Sequence, residues 1–161
     1  MFTLDMREER FFVMVITFCG HSKYEGSEKD EIKILELLNQ KAGNNPVDFF
    51  LGGYGGFDWF AYRCAKKFQK EHEEAKVIWI TPYLNSSLSD DKKNRFDLII
   101  YPELEKIPLK YAIVYRNRWM VEQADIVISY IINQYGGAYA MYQYAKRKNK
   151  EIYNIAVQHI D

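Results

Sequence analysis

Residues 49–61 read FFLGGYGGFDWFA, and this stretch decides the fold class. The apolar run predicts a buried strand, the four glycines that follow predict its end, and the acid and aromatic residues after them predict a helix. A strand that stops at glycines and restarts as a helix leaves backbone N–H groups unpaired beside the positive end of the helix dipole. Such a place suits phosphate or another anion, and the alternative is a tight turn without a ligand.

The rest of the chain alternates between strand-like and helix-like segments. Continuous apolar runs predict buried strands, and apolar residues at helical spacing predict helices. Strands are predicted at residues 13–19, 47–51, 77–81, 97–101, 125–130 and 151–156, and helices at 28–41, 57–68, 109–123 and from 136 onward. The order predicts one α/β domain over residues 1–161, a Rossmann-like three-layer α/β/α sandwich with a mostly parallel sheet. The polar stretch 85–94 is predicted to be a loop.

Composition excludes several classes of protein. The 161 residues contain 22 Lys+Arg and 22 Asp+Glu, so the chain lacks the basic surplus that is usual in proteins that bind bulk nucleic acid. Two cysteines and three separated histidines give neither a disulfide framework nor a zinc pattern, so we expect no metal and no cofactor. The apolar run 11–19 is too short to span a membrane, and we expect a cytoplasmic protein without a membrane partner.

Three of the predicted strands end in unusual residues. The first ends at Gly20 and His21, the second runs into the glycines of 52–56, and the fifth leads to Gly136 and Gly137. In parallel sheets, ligands bind outside the carboxyl ends of the strands. Two helices that begin at glycines on one rim could hold two anionic groups, or the phosphate and the sugar of one nucleotide.

Five polar side chains are candidates for contacts at this rim. Asp58 either caps the helix that follows the glycines or accepts hydrogen bonds from ribose hydroxyls. His21 either contacts phosphate, takes part in proton transfer or is bonded to a nearby carbonyl. Of Arg116 and Arg118, which point in different directions on a helix, we expect one to reach phosphate and the other to pair with a surface acid. Glu122 is either a catalytic carboxylate or an ordinary surface residue.

Three aromatic residues lie near the glycines. Tyr54, Trp59 and Tyr135 could each stack on a base, and the alternative for each is packing in the core.

These residues together resemble the SLOG superfamily of Rossmann-like proteins. The matching segments are 17–21 (TFCGH), 52–61, 115–121 (YRNRWMV) and Gly136–Gly137. The superfamily includes the Lonely Guy phosphoribohydrolases and the DNA-processing protein A family, and this chain is most similar to an uncharacterised bacterial branch. The resemblance implies a Rossmann-like fold and the binding of a nucleotide or nucleotide-derived molecule at the glycine rim. It also implies a homodimer or a larger homo-oligomer.

The chain departs from the Lonely Guy motif, Pro-Gly-Gly-x-Gly-Thr-x-x-Glu, at the positions that matter for catalysis. Aligned on the glycines, Leu51 replaces the proline, Gly56 the threonine and Trp59 the catalytic glutamate. Without that carboxylate, cleavage of an N-glycosidic bond lacks its evident nucleophile or charge stabiliser. Asp58 or Glu122 would have to substitute for it, with His21 assisting.

The preferred hypothesis is therefore a protein that binds or senses a nucleotide-derived small molecule, such as a signalling nucleotide, without turnover. The alternative is a nucleotide N-glycosidase related to the Lonely Guy enzymes, and single-stranded nucleic-acid binding is least favoured. The expected ligand contacts are Gly20, His21, Gly52, Gly53, Tyr54, Gly55, Gly56, Asp58, Arg116, Arg118, Gly136 and Gly137.

Overall fold

A computed structural model describes residues 13–84 and 90–156 of the chain. Six strands alternate with helices along these residues. The strands are β1 (Met14–Gly20), β2 (Val47–Leu51), β3 (Ala75–Ile80), β4 (Leu98–Ile100), β5 (Ile126–Tyr130) and β6 (Glu151–Asn154). The helices are α1 (Glu28–Lys41), α2 (Gly56–Lys70), α3 (Asp90–Asn94), α4 (Ala112–Gln123), which follows a 3-10 turn at Leu109–Tyr111, and α5 (Gly136–Arg147).

The strands form one parallel sheet in the order β4-β3-β2-β1-β5-β6. The chain builds outward from β1 in one direction through β4, and it then returns to the other side of β1 to add β5 and β6. The strand order therefore reverses beside β1, and the carboxyl ends of β1, β2 and β5 meet at that point. This is the position at which open parallel sheets bind ligands.

Helices cover both faces of the sheet, which gives three layers. On one face, Ile34 and Leu38 of α1 and Phe57 and Cys64 of α2 pack on the sheet and are almost completely buried. On the other face, Met120 and Val121 of α4 and Met141 and Ala145 of α5 form the second core cluster. The Rossmann-like α/β/α sandwich predicted from the sequence is confirmed, and the sheet is parallel throughout.

Most predicted elements differ from the observed ones only at their ends. The helix at 28–41 and the strand at 47–51 have the predicted bounds. Of the stretch predicted as a polar loop, residues 90–94 form the short helix α3, while 85–89 lie outside the described residues. The predicted single domain includes residues 1–12 and 157–161, which also lie outside them. Within the described residues, none of the helices is both long and apolar enough to cross a membrane.

Candidate functional site

A cleft of about 450 Å³ opens at the carboxyl ends of β1 and β5. Its volume is in the range of small-molecule sites. Four elements contribute to it: the end of β1 with the turn that follows, the start of α2, the inner side of α4 and the start of α5. The polar and glycine residues that line it include Gly20, His21, Ser22, Lys23, Asp58, Arg116, Asn117, Asn133, Gly136 and Gly137.

Arg116 is a buried cation on the floor of this cleft. Only 3% of the residue is exposed, and burial lowers the pKa of its guanidinium while nearby Asp58 raises it. Nη1 donates to the carbonyl of Gly52 at 3.0 Å and to that of Ile80 at 2.8 Å. Nε donates to Asn117 Oδ1 at 2.9 Å. Nη2 has no acceptor among the described residues, so one face of a firmly held guanidinium remains available to a ligand.

Asp58 lies beside Arg116 at the start of α2. Its Oδ2 accepts the N–H of Tyr54 at 3.0 Å, so the carboxylate reaches back to the backbone before the helix, which is a variant of helix capping. Burial raises the pKa of Asp58 to about 6, and this effect outweighs the opposing ones of the Tyr54 N–H and Arg116. A carboxyl whose pKa is raised in this way inside a cleft is typical of functional sites.

Gly52 lies directly against the side chains of both Arg116 and Asp58. A Cβ atom there would lie 3.1 Å from both Nη2 of Arg116 and Oδ2 of Asp58. The two polar atoms are therefore no more than about 6 Å apart, yet no ion pair joins them among the described residues. The guanidinium donor of Arg116 and the carboxylate acceptor of Asp58 thus lie close together without an ion pair between them.

His21 is fixed by the loop that follows β5. Its Nε2 accepts two backbone N–H groups, from Ile132 at 3.0 Å and from Asn133 at 3.1 Å. A ring nitrogen that accepts must be unprotonated, so the imidazole is neutral with its proton on Nδ1. Burial also lowers the pKa of His21. The side chain ties β1 to β5 at the edge of the cleft, a role related to the structural alternative considered from sequence, with N–H donors in place of a carbonyl.

The two glycine segments, which look alike in the sequence, have different surroundings. At the start of α2, the N–H of Gly56 donates to Ser22 O at 2.7 Å, and that of Phe57 to His21 O at 3.4 Å. The N–H groups of Gly56 and Phe57, which were expected to be unpaired, therefore already have acceptors within the chain. At the start of α5, Gly136 and Gly137 form no such bonds with the described residues, and no atom from elsewhere in the described residues lies within 4 Å of a Cβ placed on either. The free helix N-terminus that opens into the cleft is that of α5.

The structure brings some of the predicted ligand contacts together and leaves others apart. Gly20, His21, Tyr54, Asp58, Arg116, Gly136 and Gly137 line the cleft. Gly52, Gly53, Gly55, Gly56, Arg118 and Glu122 do not.

Arg118 and Glu122 lie on the side of α4 that packs near α5. The guanidinium of Arg118 lies over the rings of Tyr115 and Tyr144, at 5.3 Å from each, instead of pairing with the acid that the sequence suggested. Glu122 accepts the hydroxyl of Tyr144 at 3.0 Å. Among the described residues, Asp58 is thus the carboxylate that lines the cleft.

The aromatic candidates divide in the same way. Tyr54 and Tyr135 line the cleft and are 70% and 72% exposed, which leaves their rings available to a planar ligand. Trp59 packs against Tyr62 and Phe96 at the margin of the core and does not line the cleft.

Several lining residues were not candidates from sequence. Cys19, Ile113, Asn117, Ile132 and Asn133 also line the cleft. Ile132 and Asn133 follow directly after β5, so the rule that ligands bind at strand ends could have identified them. Cys19 is buried and donates to the carbonyl of Ala138 at 3.3 Å, and burial raises the pKa of its thiol, which disfavours the thiolate that a nucleophile requires. The described residues contain no group of three or more His, Cys, Asp or Glu that could hold a metal ion.

The fold is similar to several solved structures. DNA processing protein A from Helicobacter pylori, described for its single-stranded DNA binding mode, is 17% identical with a TM-score of 0.66, over 96% of this chain and 70% of that one. The molybdenum cofactor carrier protein from Chlamydomonas reinhardtii is 18% identical with a TM-score of 0.59, over 91% and 78%. The molybdenum cofactor binding protein from Rippkaea orientalis is 23% identical with a TM-score of 0.53, over 87% and 74%.

The likeness to these structures shows that the chain has a Rossmann-like fold. No protein-family model matches the sequence, and no curated protein matches it either. At these identities the likeness concerns the fold alone.

Proposed function

We propose that this protein binds a nucleotide or nucleotide-derived small molecule in the cleft between β1, β5 and α5. The observation that carries the proposal is a buried guanidinium with an unused N–H face, set in the same cleft as a free helix N-terminus. A phosphate at Gly136 and Gly137 would accept backbone N–H groups and interact with the helix dipole. The exposed rings of Tyr54 and Tyr135 would contact the planar part of the ligand.

What the structural neighbours bind supports a small molecule more than a polymer. Two of them are named for a molybdenum cofactor, while another is described as binding single-stranded DNA. The site here is a concave cleft of about 450 Å³, which fits a compact ligand. The chain's net charge of zero also argues against a polyanion, since such binding depends on a surplus of Lys and Arg.

The test places a negative charge at the start of α5. Gly137→Asp puts a carboxylate in the first turn, where acids stabilise a helix, so the fold should be kept while an anionic ligand is repelled. Ala140→Asp is the matched control, because Ala140 is exposed in the same region of α5 and does not line the cleft. Thermal-shift screening against mononucleotides, dinucleotides and cyclic nucleotides should show a rise in Tm for the parent and Ala140→Asp that Gly137→Asp loses. If none of these nucleotides raises the Tm of the parent protein, the proposal is refuted.

The same samples test the hydrolase alternative. Asp58 lies on the floor of the cleft, and burial raises its pKa to about 6, which suits general acid–base chemistry. Chromatography of the bound ligand after incubation shows whether it is recovered intact or as free base and ribose phosphate. Intact ligand supports a binding protein, and conversion that Asp58→Ala abolishes would assign the chain to the N-glycosidases.

A further inference from the structure

Asp58 and Arg116 form a recognition pair on the cleft floor that neither a phosphate nor a single hydroxyl would satisfy. Arg116 offers Nη2 as a donor. Asp58 offers the oxygen that Tyr54 does not use, along with the remaining lone pairs of Oδ2. A phosphate on this pair would be repelled by the carboxylate. A hydroxyl would leave most of the carboxylate's acceptor capacity unfilled, which is costly in a buried place.

The pair instead calls for a ligand edge with two neighbouring N–H donors and an acceptor beside them. The carboxylate takes the two donors and the guanidinium takes the acceptor. The 2-amino-4-oxopyrimidine edge has this arrangement, with an amino group, a ring N–H and a carbonyl in a row. Guanine and pterin both carry it. Adenine offers one donor and one ring acceptor, so it satisfies only part of the pair.

We infer that the cleft selects a ligand with a guanine-type or pterin edge, and that Asp58 and Arg116 read this edge. The inference rests on the proposed function and names the class of ligand within it. Tyr54 adds a second reason for a ring at this place. Its backbone N–H holds Asp58, and its own ring is 70% exposed at the rim, so a base that meets Asp58 lies next to an available aromatic face.

The start of α5 would then receive the phosphate. Gly136 and Gly137 lie at the start of α5, whereas Asp58 lies at the start of α2, and both helix starts line the same cleft. One nucleotide would reach from the carboxylate at its base to the free N–H groups at its phosphate. This separates the carboxylate from the anionic group, which removes the repulsion that an adjacent phosphate would suffer.

The test uses calorimetric binding of nucleotides that differ only at this edge. GMP should bind at least about tenfold more tightly than AMP, or than IMP, which lacks the amino group, because a site built to hydrogen-bond N–H groups rejects analogues without them. Neopterin phosphate in a parallel titration distinguishes the two sources of the edge, since tighter binding than GMP assigns the site to pterins. Equal affinity for GMP and AMP would overturn the inference and leave the proposed function intact.

Asp58→Asn gives a readout that a merely structural role would not move. The amide can accept the ring N–H while its NH₂ group donates, so the variant should lose at least about tenfold in affinity for GMP and gain in affinity for XMP, which has a carbonyl in place of the amino group. Glu122→Gln, outside the cleft, should change neither the affinity for GMP nor that for XMP. An Asp58→Asn protein that weakens for every nucleotide alike overturns the inference. Failure of the parent to bind any nucleotide refutes the proposed function itself.

Discussion

Asp58 shows at the scale of one residue why a site of this kind costs stability. Its pKa rises from an ordinary 3.8 to about 6 because burial outweighs the help of the Tyr54 N–H and Arg116. Between these pH values the folded chain binds more protons than the unfolded chain, so the stability that Asp58 contributes falls as pH rises through this window. The ionised carboxyl is thus a burden on the folded state above about pH 6. A destabilising carboxylate that lies in a cleft indicates a role in binding.

Asp58→Asn should therefore stabilise the protein in a pH-dependent way. The amide keeps an acceptor for the Tyr54 N–H but carries no charge. At pH 8 we expect a gain on the order of 1 kcal/mol, which is below the full equivalent of the shift because the carboxyl borders an open cleft. The gain should shrink toward pH 4, where the parent carboxyl is protonated in the folded state. Thermal unfolding of both proteins at pH 4.5 and pH 8 checks this, and an equal difference at both values would contradict it.

At the scale of elements, the starts of α2 and α5 show how two similar glycine segments serve different ends. A Cβ on Gly56 would lie 2.7 Å from the carbonyl oxygen of Ser22 and closer still to that of Tyr24. Both neighbours are backbone atoms, which cannot turn away as a side chain can. The glycines before α2 therefore let the chain after β1 pack closely against this loop. No other part of the described chain comes within 4 Å of a Cβ placed on Gly137, so packing does not require a glycine there.

This difference predicts opposite outcomes for the same substitution. Gly56→Ala should destabilise the fold by about 2 kcal/mol or more, because overpacking against backbone forces the two segments apart. Gly137→Ala should leave stability within about 0.5 kcal/mol of the parent, as expected for a surface position without close contacts. Urea unfolding of the two variants measures both effects under one condition. Similar losses for the two would show that the segments have the same packing role.

The same two segments mark how far the sequence could predict the site. Strand and helix periods are local properties, so the order of elements, the parallel sheet and the cluster of strand ends were predictable from them. Hydrogen bonds between distant segments are not local. The sequence does not indicate that Ser22 and His21 occupy the N–H groups of Gly56 and Phe57, and it therefore assigned the anion site to both glycine segments.

Arg116 and Arg118 illustrate the same limit on one helix. Helical spacing indicates that they point in different directions, and of the two Arg116 lines the cleft. It did not predict which of them, because that depends on the carbonyls of Gly52 and Ile80, which other strands bring to Arg116. Nor did it predict that tyrosine rings would receive Arg118, since Tyr144 comes from α5.

At the scale of the whole molecule, an apolar surface surrounds the start of α4. Its large side chains are exposed by 36% to 77%, with Leu109 the most exposed and Leu84 next at 67%. The members are Tyr83, Leu84, Leu109, Tyr111, Ile113 and Val114. With roughly 150–250 Å² for a fully exposed large side chain, these members together expose about 600 Å², and Tyr83, Leu84 and Leu109 line one groove. A partner in a standard-size interface contributes about 800 Å².

We propose that a second copy of the chain covers this surface. The net charge of zero means that two copies do not repel one another. Exposed charges of both signs border the apolar centre, with Glu103 and Glu105 near Lys106 and Lys110, so a two-fold axis can place opposite charges together. Ile113 lines the cleft as well as this surface, so a partner here would lie next to the ligand site.

On this proposal, Leu109→Glu should convert the dimer into a monomer without unfolding the chain. The substitution puts a charge in the apolar surface, where burial against a partner would be costly, while the exposed position tolerates glutamate in the monomer. Ile32→Glu is the matched control, since Ile32 is 50% exposed on α1, away from this surface. Sedimentation equilibrium over a range of concentrations should give a dimer for the parent and for Ile32→Glu, and a monomer for Leu109→Glu. A monomeric parent at every concentration would mean that something other than a second copy covers this surface.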